Sequence, residues 1–171
     1  MTATLVLLAF VTLERLAELV IARRNTRALL ARGAYEVAPG HYPLIVVMHA
    51  AWLASLWGLG WANPISPVWL AVFLGLQAAR IWVLATLGHR WTTRIIVLPV
   101  ASLVTSGPFK YVSHPNYLVV IGEIASLPLC LGLPLVAIVF SLANALILMI
   151  RIRAESSALS RNANATTTAN I

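Results

Sequence analysis

The chain has very little charge to work with. Only 10% of its 171 residues are Asp, Glu, Lys or Arg, and none is aspartate, against about 25% charged residues in an ordinary soluble domain. One cysteine, Cys130, excludes an internal disulfide and any metal centre built from several cysteines. The four histidines are too scattered to make a ligand set, so no metal is expected. Also missing are a glycine-rich phosphate loop, an HExxH helix and a GxSxG elbow, which removes the commonest soluble-enzyme readings. There is no internal repeat. The N-terminus lacks the basic n-region of a signal peptide, and Glu14, Arg15 and Glu18 interrupt what would be its apolar core; it is read as a retained helix.

What is present is apolar sequence in long runs. The composition is 60% hydrophobic, with mean hydropathy +0.88, the signature of an all-α integral membrane protein. Thr2 to Ala22 is the first spanning candidate, His41 to Gly60 the second and Val68 to Leu87 the third. Trp57, Trp61 and Trp69 mark an uncharged turn between the last two, as an aromatic belt at a membrane surface would. Residues 88–113 are rich in β-branched residues and broken by Pro99 and Gly107-Pro108, which predicts a loop at the membrane face with a short hairpin. Two runs of about 15 residues follow, Tyr117 to Leu131 and Leu135 to Ile150, roughly 23 Å each at helical rise. They either cross a thin region of the bilayer, giving five transmembrane helices, or form a helical hairpin that dips in and returns. Residues 1–155 make one membrane domain, and the Ser, Ala, Asn and Thr tail over 156–171 is expected to be disordered.

The net charge of +7 would in a soluble protein point to nucleic acid. Here ten of the twelve basic residues, all except Arg15 and Arg80, follow the first, third and fifth runs. That is the positive-inside pattern: N-terminus outside, C-terminus and the 88–113 loop cytoplasmic, in the inner (plasma) membrane, with the lipid bilayer and not nucleic acid as partner.

Ionisable residues inside the runs are costly and therefore informative. Glu14 and Glu18 share a helix face with Arg15 beside them; either Arg15 or Arg80 neutralises them between helices, or they line a polar cavity. His49 reads as a hydrogen-bonded packing residue. Glu123 lies six residues beyond Tyr117, near the cationic loop, and is either the partner of Arg90, Arg94 or Arg151 or an acceptor for a polar ligand entering from the cytoplasm. Pro115 suits the first turn of a helix, with His114 close to its cap. Such a helix N-terminus offers free N–H groups to a carboxylate or phosphate. Phe109, Tyr111 and Tyr117 can stack on a base or pack over a cation. The alternative is a plain helix cap in an aromatic interfacial belt.

The eleven residues Gly107-Pro108-Phe109-Lys110-Tyr111-Val112-Ser113-His114-Pro115-Asn116-Tyr117 resemble the G-P-[FY]-[RK]-Y-x-R-H-P-x-Y signature of the isoprenylcysteine carboxyl methyltransferase family, integral membrane enzymes that use S-adenosylmethionine. Ser113 stands where arginine is usual. Arg151-Ile152-Arg153-Ala154-Glu155 resembles a second family element, R-x-x-E-E, with Ser156 replacing the second acid. Glu14-Arg15-Leu16-Ala17-Glu18-Leu19, Arg23-Arg24-Asn25 and Trp91-Thr92-Thr93-Arg94-Ile95 are similar to a short bacterial branch associated with O-methylation of alkylpyrones.

The resemblance implies transfer of a methyl group from S-adenosylmethionine to a carboxylate or enol oxygen of a lipophilic acceptor such as an alkylpyrone or a prenylcysteine-like molecule. It implies cofactor contacts at Lys110, Tyr111, His114, Pro115, Asn116, Tyr117, Arg151 and Glu155. Arg94, from the preceding loop, would meet the acceptor or the cofactor carboxylate, and Arg94 and Glu123 are the catalytic candidates. A second reading keeps the scaffold but makes it a non-catalytic binder or transporter of an amphipathic ligand.

Overall fold

The computed structural model describes residues 1–168 except Val100 and Leu103, with side chains described as far as Arg153 apart from that of His41. Five helices carry the chain: α1 (Thr2–Leu30), α2 (Tyr42–Gly60), α3 (Pro67–Leu87), α4 (Pro115–Cys130) and α5 (Pro134–Thr168). Three stretches are long and apolar enough to cross a membrane, Tyr42–Gly60, Pro67–Arg90 and Pro134–Arg153; Pro115–Cys130 is apolar but shorter. Over its first five turns α1 carries Glu14, Arg15 and Glu18 inward and turns Val6, Phe10, Leu13 and Val20 outward, so its exposed stripe there is apolar; Arg23, Arg24 and Arg27 further on are exposed.

Helix starts follow local chemistry. Pro67, Pro115 and Pro134 each open a helix, where a missing N–H costs nothing and the fixed φ already suits the turn. α4 and α5 are joined by a tight turn whose Gly132 has φ +67°. At this end of the bundle, Asn63 donates to the Leu131 carbonyl at 2.8 Å, the Ser66 amide donates to the Cys130 carbonyl at 2.8 Å, and Thr4 donates to the Asn63 carbonyl at 2.7 Å. The two turns and the start of α1 are thereby fastened together. Leu8, Val11, Trp52, Leu56, Phe73, Ile124 and Leu127 fill the core between them. α4 sits centrally, packed mainly against α3 and α5.

The opposite end holds the long connection from α3 to α4. Among the described residues of 88–113 the expected hairpin is not found. Strand β2 (Ile96–Val97) pairs antiparallel with β1 (Tyr35–Glu36) from the connection between α1 and α2. The β-branched run finds its partner across the fold because β1 is brought alongside by Asn25, which donates to the Gly88 and Trp91 carbonyls at 3.2 and 2.9 Å. α5 also departs from the 15-residue run expected for it. Its apolar part reaches Arg153, and its backbone continues as helix to Thr168, past the start of the tail expected at residue 156.

Candidate active site

Gly107 begins the segment that leads into α4, and only glycine fits there. Its φ is +58°, and a Cβ would lie 2.5 Å from Thr86 Oγ1 on α3. The backbone thus packs directly onto α3, makes a short 3-10 turn over Gly107–Lys110, and delivers His114 as the residue that caps α4. From there Tyr117 follows within the first turn, its ring stacked on that of His114 with centroids 5.0 Å apart.

Between this segment, the 90–97 loop and α5 lies a cavity of about 450 Å³, within the range of small-molecule sites. Its wall includes Arg90, Trp91, Arg94, Phe109, Ser113, His114, Pro115, Asn116, Tyr117 and Arg151. The wall carries three arginines and, among the described lining residues, no carboxylate. Arg151 Nε donates to the Tyr117 hydroxyl at 2.9 Å and its Nη1 to the Thr93 carbonyl at 2.8 Å, so it bridges α5, α4 and the loop. Arg90 donates to the Ser102 carbonyl at 2.8 Å. Among the described residues, Arg94 is the one lining arginine with an acid partner, Glu36 of β1, at 2.8 Å. Two buried polar atoms of lining residues, Trp91 Nε1 and Asn116 Oδ1, have no hydrogen-bond partner among the described residues.

Six of the sequence candidates, Arg94, His114, Pro115, Asn116, Tyr117 and Arg151, are therefore brought together around one cavity. Lys110 and Tyr111 are not. Tyr111 is 74% exposed, with its ring beside that of Trp82 on the outer face of α3. The Glu155 side chain lies outside the described residues.

Glu123 does not face the cavity. Six residues of helix carry it about 9 Å beyond Tyr117, to the level of Arg80 on α3 and Glu18 on α1. Arg80 Nε donates to Glu123 at 2.8 Å, with a second contact through Nη2, and Arg80 Nη1 reaches Glu18 at 3.1 Å. Arg15 contacts Glu18 and Glu123, each at 3.1 Å, and Glu14 at 3.4 Å. The partners expected for Glu123, Arg90, Arg94 or Arg151, all sit at the loop end instead. Gly122 lets α4 come this close to α3, since a Cβ there would meet Leu76 Cδ1 at 2.7 Å. His49 is a packing residue, its Nδ1 hydrogen-bonded to the Ile45 carbonyl at 2.9 Å.

Glu36 and Tyr42 were not singled out from the sequence, and Trp91 entered only as part of the stretch Trp91–Ile95. Glu36 had one signal: it is the sole acid among the four arginines between the first two apolar runs.

Residues 69–161, more than half of the chain, match the isoprenylcysteine carboxyl methyltransferase family. The chain belongs to that family. The matched segment includes nearly all of α3, and it holds the loop with Arg94, the Gly107–Tyr117 signature and Arg151, which together form most of the cavity wall. Beyond it, the uncharacterized protein YpbQ of Bacillus subtilis is 41% identical over 166 residues, covering 90% of this chain and 94% of its own. An uncharacterized protein of Haemophilus influenzae is 33% identical over 153 residues, covering 85% of this chain and 88% of its own. No solved structure matches. Family membership and the apolar helices together support a membrane methyltransferase.

Proposed function

We propose that the chain transfers a methyl group from S-adenosylmethionine to an anionic oxygen, carboxylate or enolate, of a lipophilic acceptor. The observation that carries this reading is the cavity wall: the family signature on one side, three arginines around it, and no carboxylate among the described lining residues. A cationic wall favours an anionic group over an amine.

The residues fit S-adenosylmethionine. Phe109, Trp91, Tyr117 and His114 offer ring faces for a base, Arg151 offers donors for a carboxylate, and the partnerless Asn116 Oδ1 offers an acceptor for an amino or hydroxyl group. Pro115 opens the helix that carries these contacts. Glu155, one helical turn beyond Arg151 on α5, completes the proposed set.

When bound, the cofactor supplies a methyl group already activated on a sulfonium sulfur. Transfer to a carboxylate or enolate oxygen leaves no proton for the protein to remove, and no strong base is needed. The protein's work is placement. Arg94 holds the acceptor oxygen, Arg151 and Tyr117 hold the cofactor side, and the apolar wall of Leu87, Ile95, Val97 and Phe109 excludes water. The cluster of Arg80, Glu18, Arg15 and Glu123 fixes α4 against α3 and α1, and with it His114 and Tyr117. Glu123 acts by holding the helix and not by touching substrate.

The proposed topology has five crossings in the cell's inner membrane, N-terminus outside and the cavity on the cytoplasmic side. A soluble cofactor then enters from the cytosol and a greasy tail from the bilayer. The test is methyl incorporation from labelled S-adenosylmethionine into a cellular lipid extract by purified protein. The wild type is expected to label an alkali- or acid-labile methyl ester or enol ether, and His114→Ala to lose it. No incorporation together with no cofactor binding would sink the proposal.

A further inference from the structure

The guanidinium of Arg94 is held from outside the segment that defines the family. Its Nη1 donates to both carboxylate oxygens of Glu36, at 2.8 and 3.1 Å. Its Cζ lies over the ring of Tyr42, 4.4 Å from the centroid. Glu36 lies in the connection between α1 and α2 and Tyr42 is the first residue of α2, whereas the family match begins at residue 69. The same connection is pinned to the loop by the β1–β2 pair, by the Val37 amide on the Ile95 carbonyl at 2.9 Å, and by Thr93 Oγ1 on the Tyr42 hydroxyl at 3.4 Å.

What the clamp leaves over is chemically specific. Among the described residues, Nε and Nη2 of Arg94 donate to no protein atom, and Arg94 lines the cavity. That edge of the guanidinium is one of the two that can grip a pair of oxygens. A freely rotating arginine loses side-chain entropy when it binds an anion; one anchored through Nη1 and stacked on an aromatic face has already lost it.

We propose that Glu36 and Tyr42 are positioning residues that hold Arg94 with its Nε–Nη2 edge presented to the anionic oxygen of the acceptor. This rests on the reading of the cavity as a methyl-transfer site, and it adds an acceptor-binding role for a part of the chain that the family match does not reach.

The experiment varies the concentration of lipid extract at saturating labelled S-adenosylmethionine, for wild type, Glu36→Gln, Glu36→Asp, Tyr42→Leu and Arg94→Lys. Glu36→Gln and Tyr42→Leu are expected to raise the half-saturating extract concentration about tenfold, the worth of one weakened hydrogen bond to a charged group. The affinity for the cofactor, measured separately by calorimetry, stays within about twofold. Glu36→Asp recovers most of the loss, which a purely structural defect would not do. A Glu36→Gln protein that saturates like wild type overturns the proposal, as does one that loses cofactor affinity in the same proportion.

If the wild type transfers no methyl group, the reading of the site fails, and the clamp is decided separately by nitrogen-15 spectra of the arginine side chains. The Nη1–H signals absent from Arg94→Lys are expected to exchange slowly with water in wild type and Glu36→Asp, and rapidly in Glu36→Gln. Equal exchange in all three overturns the clamp.

Discussion

Arg80 and Glu123 face each other across α3 and α4 with each side chain only 3% exposed, Nε to Oε1 at 2.8 Å. They belong to a group of three carboxylates and two guanidinia that also holds Glu14, Arg15 and Glu18. Removing the cation and removing the anion are therefore unequal changes. Arg80→Met leaves three carboxylates around Arg15 alone and should cost about 3–5 kcal/mol of stability in detergent, the loss that follows when a buried charge is left uncompensated. Glu123→Gln leaves two carboxylates with two guanidinia and an amide that still accepts one hydrogen bond, so the cost should be about 1–2 kcal/mol. Denaturation of the two proteins measures the difference. Folded Glu123→Gln should also keep its methyl-transfer rate, since Glu123 lies outside the cavity wall; loss of turnover without loss of fold would make it a catalytic group after all.

Gly107 combines two constraints that a double variant separates. Alanine there should cost about 1–2 kcal/mol for a left-handed backbone conformation, and a further part because its Cβ would meet Thr86 Oγ1 at 2.5 Å and Cγ2 at 2.9 Å. In a Thr86→Ala background the two shortest contacts are gone, one of 3.3 Å to the Cβ of residue 86 stays, and the conformational part remains. Thermal unfolding should therefore show Gly107→Ala partly rescued by Thr86→Ala. Complete rescue would mean that backbone strain contributes nothing.

The helices were legible in the sequence because a bilayer demands long apolar runs, and five such runs became five helices. Their ends were not. α1 continues to Leu30, past Arg23 and Arg24, because arginine ends a membrane span without ending a helix. The Gly107–Tyr117 segment was legible because a motif of short range packs locally, and its residues do gather at one cavity. Lys110 and Tyr111 share that motif but point elsewhere, since a 3-10 turn rotates successive side chains by about a third of a circle. Glu123 shows the deeper limit. Its depth in α4 followed from helical rise, but its partners lie 43 and 108 positions away in sequence on other helices. Glu36 is the same case, reaching Arg94 across 58 positions.

Arg151 and Tyr117 should respond in a definite order. Tyr117→Phe removes the acceptor of Arg151 Nε but keeps the ring, stacked on His114, and the bond from Nη1 to the Thr93 carbonyl. Cofactor affinity should fall about fivefold, the effect of one partly solvated hydrogen bond. Arg151→Lys should fall further, because a single ammonium cannot span both partners nor present a planar fork to a carboxylate. Calorimetric titration with S-adenosylmethionine gives both values. The reverse order would mean that the Tyr117 hydroxyl contacts the ligand itself.

Asn116 offers a prediction in which stability and binding move in opposite directions. Its Oδ1 is buried in the cavity wall without a hydrogen-bond partner among the described residues. A buried acceptor left unsatisfied costs about 1–3 kcal/mol, a penalty that disappears when the group itself is removed. Asn116→Ala should therefore leave the ligand-free protein no less stable, with the lost penalty offsetting the lost packing of one side-chain amide. If a ligand's amino or hydroxyl group completes that acceptor, the same variant should weaken S-adenosylmethionine binding by about tenfold. Asn116→Asp should keep an acceptor at the same place and bind more tightly than Asn116→Ala. Thermal unfolding with and without cofactor reads both quantities in one experiment: the midpoint without ligand stays level, while the upward shift on adding ligand shrinks. A variant that loses stability in the free protein and keeps its ligand-induced shift would assign Asn116 to packing of the first turn of α4 and remove it from the cofactor contacts.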